Sequence, residues 1–126
     1  MKFKTWVENE NKPVIEQLKD FIEMAKGRIN ANQWLEDDMM KVYVRKSSRL
    51  VSGQRMNTLD IANIDVTEPG HGTGGKFFEQ AHEMNPWLAT YFESVLNNRL
   101  GRYLLKHGYK IDPGVFPLSY YKLKSG

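Results

Sequence analysis

The stretch from Leu59 to Phe78, LDIANIDVTEPGHGTGGKFF, constrains the fold more than any other, because several local signals in it demand one unusual backbone. An apolar run with strand character reaches Val66, glycines follow at 70, 72, 74 and 75, and a helical pattern begins at Lys76. A strand that feeds a glycine-rich turn into a helix N-terminus leaves several N–H groups without intrahelical partners, and the helix dipole adds about half a positive charge there. The expected ligand of such a turn is an anion, most often a phosphate.

The rest of the composition narrows the ligand without naming it. The 126 residues, 40% hydrophobic and 26% charged, suffice for one domain around a single core. No apolar stretch is long enough to span a bilayer and Met1 to Lys12 is polar throughout, so neither a membrane span nor a leader is expected, and the expected location is cytoplasmic. The absence of cysteine removes disulfides, thiolate metal ligands and a cysteine nucleophile together. His71, His82 and His107 lack metal-ligand spacing, and neither Ser52 nor Ser94 has a nearby His/Asp constellation. A net charge of +3 favours polyanionic ligands such as nucleotides, but it is too small and scattered for specific nucleic-acid binding.

Periodicity places the elements around the loop. Pro13 followed by Val14, Ile15, Leu18, Phe21, Ile22 and Ala25 predicts a helix over 13–26, closed by Gly27. Asn30 to Asp38 is open between a short helix and an irregular loop. Met40 to Arg45 and Arg49 to Ser52 read as two strands separated by Ser47-Ser48, and Met56 to Thr67 as a long third strand. On that strand, simple alternation puts Leu59, Ile61 and Asn63 on one face and Asp60, Ala62, Ile64 and Val66 on the other. A helix from Lys76 to about Glu83 follows, then a strand over Leu88 to Leu96, then a helix over Arg99 to His107, with Asn97-Asn98 as its cap and Gly108 as its stop. Ile111 and Val115 to Leu123 close the chain as strands about Asp112-Pro113-Gly114. Strands flanking a helix are expected to be parallel and the earlier ones antiparallel, which gives an α/β (α+β mixed) domain with a mixed sheet and helices on both faces.

Three phosphate-binding schemes compete for the loop. Gly70, Gly72 and Gly75 satisfy the dinucleotide pattern G-x-G-x-x-G, and Glu93 lies at a suitable distance for a ribose contact, but too few residues remain for the further strand-helix repeats of that fold. A Walker A loop fails because Phe77 follows Gly75-Lys76 where a hydroxyl must hold magnesium. The third scheme is a resemblance. Ile64 to Gly74, IDVTEPGHGTG, resembles the acyl-CoA pyrophosphate loop of the GNAT superfamily of N-acetyltransferases, Arg/Gln-x-x-Gly-x-Gly/Ala after a central strand, with Gly72 and Gly74 in its two small positions. Asn97 to Tyr109, NNRLGRYLLKHGY, resembles that family's next element, an Asn, a short helix and then Lys-x-Gly-Phe/Tyr, here Lys106, Gly108 and Tyr109. The likeness covers about the last two thirds of the chain. Pro69 departs from it, standing where the family has Arg/Gln and removing a side chain and an N–H from the cradle.

The resemblance implies a GNAT-like domain that uses acetyl-CoA or a related acyl-CoA to acetylate an amine-bearing acceptor, protein or small molecule. It implies that Gly70, His71, Gly72, Thr73, Gly74, Gly75 and Lys76 cradle the pyrophosphate, that Asn97 belongs to the same site, and that the backbone of Ile64, Asp65 and Val66 binds the pantetheine arm. A carboxylate must free the amine of its proton, for which Asp60 and Asp65 are candidates. The family's tyrosine acid aligns with Leu104, so that role falls to Tyr103 by a one-residue shift, to Tyr109, or to water. Trp34 with Tyr43 is a candidate wall of the acceptor pocket. The alternative is a non-catalytic GNAT-like interaction protein that binds CoA weakly or not at all, and a homodimer is left open.

Overall fold

The computed structural model describes residues 12–67 and 72–124. A long hairpin forms the middle of the sheet. β1 (Ala31–Glu36) pairs antiparallel with β2 (Met40–Val51), which turns back through Ser52 and Gly53 into β3 (Gln54–Val66). Both turn residues have positive φ, 49° and 83°, the combination a two-residue turn needs to match strand twist. β3 then runs parallel to β4 (Ala89–Phe92), and β6 (Tyr120–Leu123) lies antiparallel between β4 and the two-residue β5 (Lys110–Ile111). The sheet order is β1-β2-β3-β4-β6-β5, a mixed six-stranded sheet of α+β type.

Among the described residues three helices are interleaved: α1 (Val14–Ala25), α2 (Thr73–Met84) between β3 and β4, and α3 (Asn98–Lys106) between β4 and β5. α1 buries Val14, Leu18, Phe21, Ile22 and Ala25, one stripe at helical spacing. The Asp37 carboxylate accepts from the Val14 N–H at 2.8 Å and from Met39 and Met40, so one side chain fixes the start of α1 and the β1–β2 turn together. All three helices join one apolar cluster with Leu35, Val42, Val44, Leu59, Ile61 and Phe92. Among the described residues no helix covers the other sheet face, where Val51, Met56, Ala89, Tyr91 and Tyr121 form a smaller cluster. The expectation of helices on both faces is therefore corrected to helices on one.

Other expectations change for traceable reasons. Residues 31–36, left open between helix and loop, are strand β1, because pairing with β2 overrides a polar local sequence. The Ser47-Ser48 interruption is no break: both residues pair across to Thr58 and Asn57 within one continuous strand. The strand after α2 is shorter than 88–96, ending at Phe92. Asp112-Pro113-Gly114 is not a tight hairpin turn. Asp112 is buried and accepts from the Ser52 N–H and the Tyr91 hydroxyl, and the chain reaches β6 only at Tyr120.

The most consequential difference lies inside β3. Tyr43 pairs with Asn63 and Val44 with Ile61, so Ala62 is an extra residue, a β-bulge. The bulge resets the alternation. Ile64 and Val66 pack with Leu59 and Ile61 against the helices, instead of sharing the face of Asp60 as straight alternation predicts.

Candidate functional site

The bulge coincides with the place where β3 loses a neighbour. Parallel pairing with β4 runs from Thr58–Ala89 to Ile61–Phe92, and the Glu93 N–H donates to the Ile61 carbonyl at 3.4 Å as the last tie. β3 continues to Val66 with no described strand on that side. Five residues at about 3.3 Å each make an open edge roughly 16 Å long, from the parting of the strands to the end of β3 at Val66.

Two clefts follow this edge. On the helix side, one of about 450 Å³ is lined by Ile64, Asp65 and Val66 of β3, Gly72 to Gly75 and Phe78 of α2, and Asn97, Arg99, Leu100 and Tyr103 of α3. The second, about 290 Å³, lies in the parting itself, between Ile61 to Ile64 on one bank and Phe92 to Asn97 on the other. Ile64, Asn97 and Leu100 border both, so the clefts adjoin.

Among the described residues no side chain caps the start of α2: Gly72 stands at the N-cap with φ 78° and has no side chain to offer, and the first turn holds no acidic residue. The N–H groups of that turn lack intrahelical acceptors, and the dipole leaves a partial positive charge at the cleft. Gly75 has a second role: a Cβ there would lie 2.9 Å from the Tyr103 hydroxyl. Only glycine lets Tyr103 lie across α2, where its hydroxyl donates to the Gly75 carbonyl at 3.2 Å. Facing this start is the start of α3, where the Asn97 side chain accepts from the N–H groups of Arg99 and Leu100. Asn97 thus shapes the cleft as a helix cap, with its carbonyl oxygen already engaged.

The structure gathers Ile64, Asp65, Val66, Gly72, Thr73, Gly74, Gly75, Asn97 and Tyr103 around one cleft. Gly70 and His71 lie outside the described residues, as does Pro69. Lys76 lies elsewhere: it is exposed on the other flank of α2, in a groove of about 370 Å³ with Pro13, Val14 and Asp37. Asp60 lies elsewhere too. It is fully buried on the helix-free face, and its oxygens accept from Ser47 at 2.6 Å, Thr58 at 2.6 Å and Arg49 at 2.7 Å, with Arg45 at 3.8 Å. A carboxylate so engaged and fully buried is an anchor for β2 against β3, closed to a ligand from solvent.

The two tyrosines separate as well. Tyr103 lines the larger cleft, while Leu104, at the aligned position, is buried in the core. Burial, and then the nearby Glu79 carboxylate, raise the Tyr103 hydroxyl above the usual phenol range. Its position is toward the start of α2, and Leu100 is the member of α3 that reaches the parting. Tyr109 is buried behind α2, in edge-to-face contact with Phe92 and His82, and its hydroxyl is pushed up chiefly by that burial. His82 beside it bonds to the Thr90 hydroxyl. Burial first, then Lys122 and Lys124, lower it from 6.5 to about 4, so the ring is neutral at pH 7. Trp34 and Tyr43 do pair, with ring centroids 4.9 Å apart, and Lys41 lies over the indole.

Sequence reasoning missed Arg99, which brings a cation to the cleft mouth two residues after the cap, where the helix motif could have located it. It considered Glu93 only as a ribose contact in the dinucleotide scheme; the structure places this residue at the parting, paired with Arg45. No family model matches the sequence, and the search of curated proteins finds no match. Among the described residues no helix is long and apolar enough to cross a membrane.

Proposed function

We propose that the open edge of β3 and the start of α2 form an acyl-CoA site, and that the protein transfers an acetyl group from acetyl-CoA to an amine. The single observation that carries this reading is the end of β3–β4 pairing at Ile61–Phe92 while β3 runs on alone to Val66, across one cleft from the N-terminus of α2. The arrangement offers a diphosphate the N–H groups of the first α2 turn and Arg99, and offers an extended amide-bearing arm the strand edge of residues 62–66. The edge, roughly 16 Å long, is comparable with an extended pantetheine arm. Gly75 supports the same reading, because a side chain there would force Tyr103 out of its place in the cleft wall.

In this reading acyl-CoA supplies the activated carbonyl, and the chain supplies binding, orientation and proton handling. The parting of the strands holds the thioester beside the 290 Å³ cleft, which is where the acceptor amine arrives. Tyr103 closes the wall near the diphosphate rather than protonating the thiolate, whose proton comes from water or the acceptor. Two observations favour the non-catalytic reading: Pro69 in the Arg/Gln position of the motif, and the absence, among the described residues, of a tyrosine from the lining of the parting.

Isothermal titration decides between them in two steps. Acetyl-CoA is expected to bind with measurable heat while NADH and ATP stay silent. Free thiol is then expected to appear when amines are added. Heat without thiol release supports a binding protein, and no heat at all removes the acyl-CoA reading.

A further inference from the structure

Resting on the acyl-CoA reading, the geometry points to Glu93 as the catalytic base that takes the proton from the acceptor amine. The two carboxylates on β3 are at the wrong places for this work. Asp60 is enclosed, with both oxygens engaged by hydroxyl and guanidinium donors. Asp65 lies four residues beyond Ile61, about 13 Å along the strand, at the diphosphate end of the slot.

Glu93 stands where the chemistry must occur. It is the first residue after β4, its N–H makes the last tie to β3, and it is one of the residues that line the cleft in the parting. Because Phe92 packs on the helix side, the next residue turns to the helix-free face. There the Glu93 carboxylate pairs with the Arg45 guanidinium through one oxygen. The side chain is a third exposed, open enough for an amine to approach. Among the described residues the charged groups around it are Arg45 on β2 and, across that guanidinium, Asp60 on β3. Arg45 orients the carboxylate, and Asp60 in turn holds Arg45.

The step balances with no further reactant. An alkylammonium acceptor gives one proton to the Glu93 carboxylate, and the freed lone pair forms the N–C bond to the thioester carbonyl carbon. The C–S bond breaks with its electron pair going to sulfur, and the second surplus proton on nitrogen passes to that sulfur through water. Glu93 then releases its proton to solvent.

The test uses the full chain as wild type, Glu93→Gln and Glu93→Asp, with acetyl-CoA and three amines: spermidine, a lysine peptide and a peptide with a free N-terminus. Glu93→Gln is expected to keep the acetyl-CoA Kd within about twofold while kcat falls about 100-fold or more, the usual contribution of a general base. The deficit should shrink as pH rises toward 10, where an alkylamine of pKa about 10.4 becomes neutral unaided. Glu93→Asp should recover part of kcat. A merely structural Glu93 would change stability or Kd and leave the pH profile parallel to wild type. Full kcat in Glu93→Gln, or a deficit independent of pH, overturns the assignment and leaves the acyl-CoA reading standing. Wild type that binds no acetyl-CoA, or releases no thiol with any amine, overturns both.

Discussion

The two halves of β3 obey different rules. From Met56 to Ile61 the strand has β2 on one side over its whole length and β4 on the other from Thr58, and most of its side chains are buried. From Ala62 to Val66 it has β2 alone, and burial alternates between partial and none. One residue separates these regimes, the bulge at Ala62, which bends and twists the strand as β4 departs. A strand paired on both sides belongs to the core. The same strand, released on one side and set across a cleft from a helix start, becomes a surface that can take up a ligand. Stability should therefore reside in the first half and affinity in the second, and substitutions can separate them.

The largest expected effect lies in the paired half. Among the described residues, Asp60→Ala removes the only carboxylate that Arg49 contacts, and Arg45 would keep only Glu93. The Nε atoms of both arginines are already buried without a partner, so little remains to absorb the stranded charge. Breaking a buried pair in this way costs about 3–5 kcal/mol. That is a large share of the stability of a domain this size, about 5–15 kcal/mol. Urea unfolding of the variant should show a loss of this order, with the acetyl-CoA affinity of the folded fraction unchanged. A loss below about 1 kcal/mol would mean that the ion cluster is not what ties β2 to β3.

Gly75→Ala carries the comparison into the open half. The new methyl would lie 2.9 Å from the Tyr103 hydroxyl and 3.2 Å from its ring, so Tyr103 must swing away from α2. Alanine is itself the better helix former by up to about 1 kcal/mol, which offsets the lost contact. Unfolding free energy should then change by less than about 1 kcal/mol, while acetyl-CoA affinity falls about tenfold, or 1.4 kcal/mol. Adding Tyr103→Phe removes the closest atom and should restore part of the affinity, a coupling that a double-mutant cycle reads directly. Unchanged affinity in Gly75→Ala would take the Tyr103 wall out of the ligand site.

Much of the open half was legible in the sequence because its signals are local. A glycine at a helix start, an Asn before a short helix and a Gly after it each fix a backbone conformation without outside help, and they appear as the φ of 78° at Gly72, the Asn97 cap and the φ of 91° at Gly108; Gly74 and Gly75, expected in the turn before Lys76, lie instead in the first turn of α2, and Gly70 lies outside the described residues. What could not be read were the features set by distant partners. β1 is polar and becomes a strand only because β2 lies beside it. The bulge has no composition of its own: Ala62 is an ordinary strand residue, and the two-to-one pairing exists only against Tyr43 and Val44. Missing it assigned Ile64 and Val66 to the wrong face, and alternation alone gave no reason to prefer Glu93 over Asp60.

Asp65 supplies the finest test, because the two halves assign it opposite roles. If the open half binds a diphosphate, the exposed Asp65 charge beside the cleft works against that ligand, moderated by Lys41 directly across the strand pair. Asp65→Asn should then improve acetyl-CoA affinity by about two- to fivefold at low salt, the scale of an exposed charge interaction of about 0.2–1 kcal/mol. The gain should fade toward 1 M salt, where the screening length shrinks to about 3 Å. kcat should be untouched, since the residue lies about 13 Å along the strand from the parting. A loss of kcat with affinity unchanged would instead place the chemistry at the diphosphate end of the slot, make Asp65 the base, and leave Glu93 as no more than the partner of Arg45.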